Sequence, residues 1–336
     1  RSNDIGDAIT SEMGAPTSMA REDQAGSGSF HIETFLDEFR KFEFIRPLGD
    51  HAPTSMVAWE PIGVVGLITP WNWPMNQVTL KVIPAILAGD SCVLKPSEIA
   101  PLSSMVFAEI VHEAGLPKGV FNLVNGDGPG VGTQLSTHKD VDMISFTGST
   151  RAGIAITKAA ADTLKKVVLE LGGKGANIVF ADADEKAVVR GARHCFYNSG
   201  QSCNAPTRML VPAERHDEAL GIARQAAEAF RVGAPADEKT DLGPVVSDVQ
   251  FGRGTARAAP PPPKKIAAKF CATCSAAGFA GSMPWRPANS MSVISRSSSV
   301  QCSVFFPFRV GPNFAASDTG ASSAGTSSRA ACSMAR

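Results

Sequence analysis

From Met56 to Phe230 the chain alternates two hydrophobic patterns. Short runs of consecutive apolar, often β-branched residues are separated by longer stretches whose apolar positions recur at helical spacing. The short runs predict strands over Met56–Thr69 (bent by Pro61), Ser91–Leu94, Phe121–Val124, Met143–Phe146, Lys166–Glu170, Ala176–Phe180 and Arg208–Val211. The longer stretches predict helices over Met75–Ala88, Leu102–Ala114, Arg151–Ala161, Asp184–Asn198 and Glu214–Phe230. Upstream, Ile5–Glu12 reads as a short amphipathic helix. Phe30–Phe42 reads as another, with Phe30, Phe35, Leu36, Phe39 and Phe42 near one face for packing. Asn125–Gly132, NGDGPGVG, reads as a loop. Short apolar strands alternating with helices predict an α/β fold built on a doubly wound, mainly parallel sheet.

After about Gly252 this pattern stops. The remainder carries a four-proline run at Pro260–Pro263, abundant Ser and Ala, and no sustained period of either kind, so it reads as low-complexity. Charge divides at the same place. Ten of the 32 Lys/Arg but one of the 32 Asp/Glu fall from Arg253 onward, which leaves +9 there and −9 before it, although the whole chain is neutral. We therefore expect a globular part ending near residue 252 and a tail, 253–336, that is disordered or translated out of frame. That tail has no clustered basic face with interleaved aromatics, so no nucleic-acid partner is expected. The 43% hydrophobic and 19% charged composition is that of a globular protein, and no apolar run approaches the length of a membrane span. Seven scattered cysteines argue against a disulfide framework and fit a reducing, cytoplasmic setting. Cys271 and Cys274 form a single CxxC without a second pair, so no metal is expected.

Several residues carry possible chemistry. Cys203 lies among Gly200, Gln201, Ser202 and Asn204, between a predicted helix end and a predicted strand. A thiol so placed can attack an electrophilic carbon, or it can simply be a small packed residue, the reading preferred for Cys195 inside its helix. Asn72, in the PWNWP turn Pro70–Pro74, can cap the following helix or present its amide to a developing oxyanion. Lys95 and Glu98 follow a strand, where nucleotides bind in such sheets, or they form a solvated pair. Gly148–Gly153 is a small-residue strand-to-helix turn able to approach phosphate, without the GxGxxG spacing. Glu170, at a strand tip, is an ion-pair partner or a base for water.

WNWP, KPSE, FTGSTRAG, LELGGK and GQSCNAPTR, in this order, resemble the NAD(P)-dependent aldehyde dehydrogenase family over about residues 1–252. The resemblance implies Cys203 as nucleophile, Glu170 as general base and Asn72 as oxyanion-stabilising amide. It also implies a NAD or NADP site: Lys95 and Glu98 at the adenine-side ribose, Gly148 and Ser149 at the pyrophosphate with Gly153 completing the turn, and Thr147 and Gly172 near the nicotinamide. Glu98 tilts the choice toward NAD, since a carboxylate repels a 2′-phosphate. The implied reaction oxidises an aldehyde to a carboxylic acid through a thiohemiacetal and a thioester on Cys203. The implied domains are a cofactor-binding part, 1–172, lacking its N-terminal portion, and a partial catalytic part, 173–252. Family members extend further on both sides and form homo-oligomers, so the chain is expected to be an incomplete member. The competing expectation is a non-catalytic nucleotide-binding or interaction module made from the truncated fold.

Overall fold

A computed structural model describes residues 1–255 and the short strand Phe308–Val310, with side chains to Gly252. Expectations for the tail, including Cys271 and Cys274, lie outside the described residues. In chain order the helices are α1 (Ser2–Met13), α2 (Thr17–Met19), α3 (Gly26–Phe39), α4 (Pro74–Leu87), α5 (Leu102–Glu113), α6 (Thr133–Thr137), α7 (Thr150–Ala161), α8 (Glu185–Phe196), α9 (His216–Glu228) and α10 (Asp248–Thr255). The strands are β1 (Ile45–Pro47), β2 (Met56–Pro61), β3 (Val64–Ile68), β4 (Ser91–Lys95), β5 (Phe121–Leu123), β6 (Met143–Gly148), β7 (Lys166–Leu171), β8 (Ala176–Ile178), β9 (Arg208–Leu210) and β10 (Phe308–Val310). Two π-helical segments, Ala20–Ala25 and Gly128–Gly132, precede α3 and α6.

The expected parallel sheet is present. Five strands in the order β5-β4-β3-β6-β7 pair in parallel, from Cys92↔Phe121 at one side to Phe146↔Leu169 at the other. Its central strands are apolar because both faces are covered: Val65, Leu67, Cys92, Leu94, Met143 and Ile144 are all buried. One face packs on α1, α4 and α5, with Ile9, Met13, Val78, Val82 and Phe107 in a single core; the other packs around Leu135, Phe146 and Ile156. Gly153 belongs to this packing. A side-chain carbon there would sit 2.9 Å from Leu171 Cδ2, so its absence lets α7 lie against β7.

β8 and β9 pair in parallel as a separate two-stranded sheet, covered by α8 and α9 through Val179, Val188 and Ala219. A second small unit includes Glu43–Glu60 and, among the described residues after Thr255, Arg309 and Val310; in it β1 pairs antiparallel with β2 (Ile45↔Ala58), and β10 lies on the other side of β2.

Four expectations are corrected. The strand foreseen as one bent element over Met56–Thr69 is two strands in different sheets, because Gly63 takes φ +125° and breaks the extended run after Pro61. On α3 only Phe35 of the proposed apolar face is buried, and Phe30 is 63% exposed. Phe30 and Leu36 stand about 140° and 100° around the helix from Phe35 at 3.6 residues per turn, so they do not share its stripe. The NGDGPGVG segment is not all loop: Asp127 Oδ1 accepts from Gly130 N at 2.8 Å and starts a π-turn leading into α6. The helix expected to reach Asn198 ends at Phe196, because Tyr197 leaves helical geometry (ψ 144°) and Asn198 and Ser199 then adopt left-handed backbone (φ 54° and 55°).

The N-terminus of α5 is capped from a distant element. Glu12 of α1 accepts from Leu102 N at 2.5 Å, from Ser103 N at 3.3 Å and from Ser103 Oγ at 2.5 Å. A carboxylate at this end satisfies orphan N–H groups and complements the helix dipole. Burial raises the Glu12 carboxyl above its ordinary range, while these hydrogen bonds hold it down. Glu12→Ala is expected to destabilise the fold by about 1–2 kcal/mol, read as a lower urea midpoint at unchanged slope.

Candidate active site

In a doubly wound sheet, ligands bind outside the carboxyl ends of the strands, where the strand order reverses. Here β3, β4 and β5 run outward on one side and β6 and β7 on the other, so the reversal lies between β3 and β6. The segment leaving β3 carries Thr69 and the PWNWP turn, and the segment leaving β6 carries Gly148 and Ser149. The candidate residues gather around this point.

Asn72 does not cap α4. The residue at the cap position is Trp73, whose side chain does not bond the helix's N–H groups, and Pro74 opens the helix with its fixed φ. The Asn72 amide instead donates Nδ2 to the Gln201 carbonyl at 2.8 Å, and Trp73 Nε1 donates to Ser202 Oγ at 2.9 Å. Two adjacent residues after β3 are thus bonded to the two residues before Cys203. Cys203 itself is exposed, whereas Cys92 and Cys195 are buried. An apolar cavity of about 100 Å³ between α8 and α9 is lined by Cys195, Phe196 and Met209 and contains none of the candidate groups.

Glu170 pairs with Thr147 across β6 and β7, one residue from the strand end, and is exposed. The loop after it runs beside the Cys203 segment. Gly175 O accepts from Arg208 N at 3.2 Å, Lys174 O accepts from Arg208 Nε at 3.0 Å, and a side-chain carbon on Gly173 would lie 3.9 Å from Cys203 O. Asn72, Glu170 and Cys203 are therefore carried by three neighbouring segments. Lys95 and Glu98 sit one strand away at the end of β4. Lys95 is almost fully buried and donates to Pro96 O at 2.7 Å and to Glu98 Oε2 at 3.2 Å.

The cofactor-binding candidates bear features that suit a dinucleotide. Thr147 Oγ1 is buried with no hydrogen-bond partner, and open space surrounds Gly172. Ser149 caps α7, accepting from Ala152 N at 3.3 Å, and the N-terminus of that helix follows directly on the end of β6. Gly153, by contrast, is buried against Leu171 and serves helix packing.

Three buried polar residues, Lys81, Gln24 and Asn198, carry no motif in the sequence that marks them. Lys81, on α4, is buried and donates to Ser145 Oγ at 3.0 Å. Burial pushes its ammonium down to about 8, with the Glu170 carboxylate pulling the other way. One lysine at an otherwise apolar helix position was its only signal in the sequence. Gln24 and Asn198 are buried amides joined to one another at 3.3 Å.

The aldehyde dehydrogenase family model matches residues 1–257. Among curated relatives, 3-succinoylsemialdehyde-pyridine dehydrogenase of Pseudomonas sp. is 52% identical over 251 residues, covering 74% of this chain and 52% of the relative. Among solved structures, an aldehyde dehydrogenase from Bartonella henselae aligns with TM-score 0.76 and 58% identity over 77% of this chain and 54% of that one. A cysteine-to-alanine variant of aldehyde dehydrogenase C from Pseudomonas syringae, solved with NAD+ and octanal, aligns with TM-score 0.75 and 49% identity, covering 77% and 53%. The chain spans about half the length of the curated relatives it matches. Among the described residues no helix is long and apolar enough to cross a membrane.

Two measurements follow from this geometry. Burial, with a smaller push from Asp90, drives the Cys92 thiol up to about 12, so a thiol reagent is expected to modify Cys203 well before Cys92, as read by peptide mass. Folded Lys81 titrates near 8 and an ordinary lysine near 10.5, so between those values the unfolded chain binds more protons. Stability from this group is therefore expected to rise with pH across that window, and Lys81→Met to remove that part of the rise in urea midpoint. Equal pH responses in the two proteins would show that Lys81 is not the group responsible.

Proposed function

Because the chain belongs to the aldehyde dehydrogenase family, we propose that it carries the reacting groups of an enzyme that oxidises an aldehyde to a carboxylic acid with a nicotinamide dinucleotide. The observation that supports this most is the pair of bonds from Asn72 and Trp73 to Gln201 and Ser202, which ties a side-chain amide to the segment presenting an exposed thiol. Cys203 is the nucleophile. Its thiolate adds to the aldehyde carbon. Asn72 Nδ2 has two N–H groups. One is held by Gln201 O, and the second is left to donate to the oxygen on which charge develops. A donor so fixed costs no reorganisation and is worth roughly 3 kcal/mol.

The chemistry a bound NAD-type cofactor would supply here is an acceptor for the hydride given up by the carbon on Cys203. The residues that would hold it are Lys95 and Glu98 at a ribose, Gly148 and Ser149 against the pyrophosphate, and Thr147 and Gly172 beside the nicotinamide. The orphan Thr147 hydroxyl and the open space at Gly172 support that fit. NAD is favoured over NADP through the Glu98 carboxylate, and Lys95, which pairs with it, moderates the preference. Glu170 takes a proton from the water that hydrolyses the thioester, with Lys81 as a buried positive charge near it.

Cys203→Ala is expected to abolish aldehyde-dependent NADH formation while NAD binding persists. Glu170→Gln is expected to leave an acyl group on Cys203, visible as an added mass on its peptide. Undiminished turnover by Cys203→Ala would refute the assignment.

A further inference from the structure

The turn before the candidate nucleophile is held by one side chain that touches both sides of the site. Asn198 is 2% exposed and left-handed, with φ 54° and ψ 37°. Its Nδ2 donates to Asn72 O at 2.8 Å and to Gln201 O at 3.3 Å, its Oδ1 accepts from Gln24 Nε2 at 3.3 Å, and its carbonyl accepts from Gln201 Nε2 at 3.1 Å. Gln201 O thus receives two amide donors, one from Asn72 and one from Asn198. Asn72 is fixed at both ends, its side chain by Gln201 and its backbone carbonyl by Asn198.

Behind this network stands the π-helical segment Ala20–Ala25. Its adjacent residues Asp23 and Gln24 bond the adjacent residues Tyr197 and Asn198. In front, the 243–246 segment closes it: Ser199 Oγ donates to Gly243 O at 2.7 Å, and Val246 N donates to Gln201 Oε1 at 2.9 Å.

Asparagine fits this position for two reasons. It is among the few non-glycine residues that enter the left-handed region readily. It also has two N–H donors, and both are used here, on two carbonyls from different segments. Aspartate would keep the acceptor for Gln24 but place a second acceptor opposite two carbonyl oxygens. Glycine would keep the backbone and remove every side-chain bond.

We propose that Asn198 is the positioning residue of the oxyanion-binding amide: by holding the Asn72 turn against the Cys203 turn, with Gln24 behind it, it sets how fast Cys203 adds to a carbonyl. The proposal rests on the reading of Cys203 as nucleophile and Asn72 as donor. Asn198 does not touch the reacting atoms.

The test compares two reactions of the same thiol in the full chain. With p-nitrophenyl acetate, the Cys203 thiolate attacks the carbonyl carbon and the carbonyl electron pair moves to oxygen. The C–S bond forms, and the C–O bond breaks to release p-nitrophenolate, leaving acetyl on sulfur. With iodoacetamide, the same sulfur displaces iodide at a saturated carbon, and no oxyanion forms. Peptide mass assigns both products to Cys203. Asn198→Gly is expected to slow acetylation about tenfold to a hundredfold while leaving alkylation within about twofold. Asn198→Asp should slow acetylation at least as much. Asn72→Ala should reproduce the selective loss, and the double variant Asn72→Ala/Asn198→Gly should lose no more than Asn72→Ala alone.

Unchanged acetylation in Asn198→Gly, equal slowing of both reactions, or additive losses in the double variant would overturn the proposal. Cys203→Ser separates it from the reading beneath it. Acetylation persisting there at the wild-type rate removes Cys203 as the acyl acceptor, whatever Asn198 does.

Discussion

A single hydrogen bond, Asn72 Nδ2 to Gln201 O at 2.8 Å, joins residues 129 positions apart and decides what the rest of the molecule must accomplish. With the bonds from Trp73 to Ser202 and from Asn198 to Asn72, it turns two otherwise separate segments, the turn after β3 and the loop before β9, into one. With it, an amide donor and an exposed sulfur belong to one structure. Side-chain bonds of this kind contribute modestly to stability, on the order of 1 kcal/mol. Their value here is geometric, because chemistry at a carbonyl is sensitive to misplacement of about an ångström. The bond can be that accurate only because both segments are anchored elsewhere. The PWNWP turn is held by α4, buried through Met75, Val78 and Val82, and the Cys203 loop follows α8, buried through Val188 and Cys195.

The sheet supplies the second constraint. Parallel strands buried on both faces send all their carboxyl ends to one edge. The strand order reverses between β3 and β6, the place where sheets of this kind hold their ligands. Thr147 and Glu170, paired in register on β6 and β7, arrive at that edge together. Lys95 and Glu98 stand one strand further out, at the end of β4, which pairs with β3.

Much of this was readable in the chain itself. The strands from Ser91, Phe121, Met143 and Lys166 were legible because central parallel strands are nearly continuous apolar runs between turn residues. The helices α4, α5, α7 and α9 were legible from their spacing. What escaped were features decided by tertiary contact. Proline suggested a bend near residue 61, but it is the backbone of Gly63 that lets β2 and β3 enter different sheets. Asn72 before a proline-led helix has the local look of a cap, and only Gln201, far away in sequence, diverts its amide. Lys81 is a polar residue inside an apolar helical stretch, and Gln24 is one more polar residue at the end of the run Arg21–Gln24. Sequence pattern treats such positions as noise, because nothing local announces Ser145 or Asn198 as partners.

The π-helical segment Ala20–Ala25 has a consequence for how this architecture can drift. A π-turn is a helix carrying one residue more than its pitch needs, so deleting a residue there would yield a regular α-helix. Because a π-turn absorbs its extra residue within one wide turn, the flanks would stay nearly in phase and the packing of α1 and α3 would survive. The loss would fall on the turn itself, where Asp23 and Gln24 reach Tyr197 and Asn198. A helix can thus shed the residue without noticing, while the turn that carries Asn198 loses its backing.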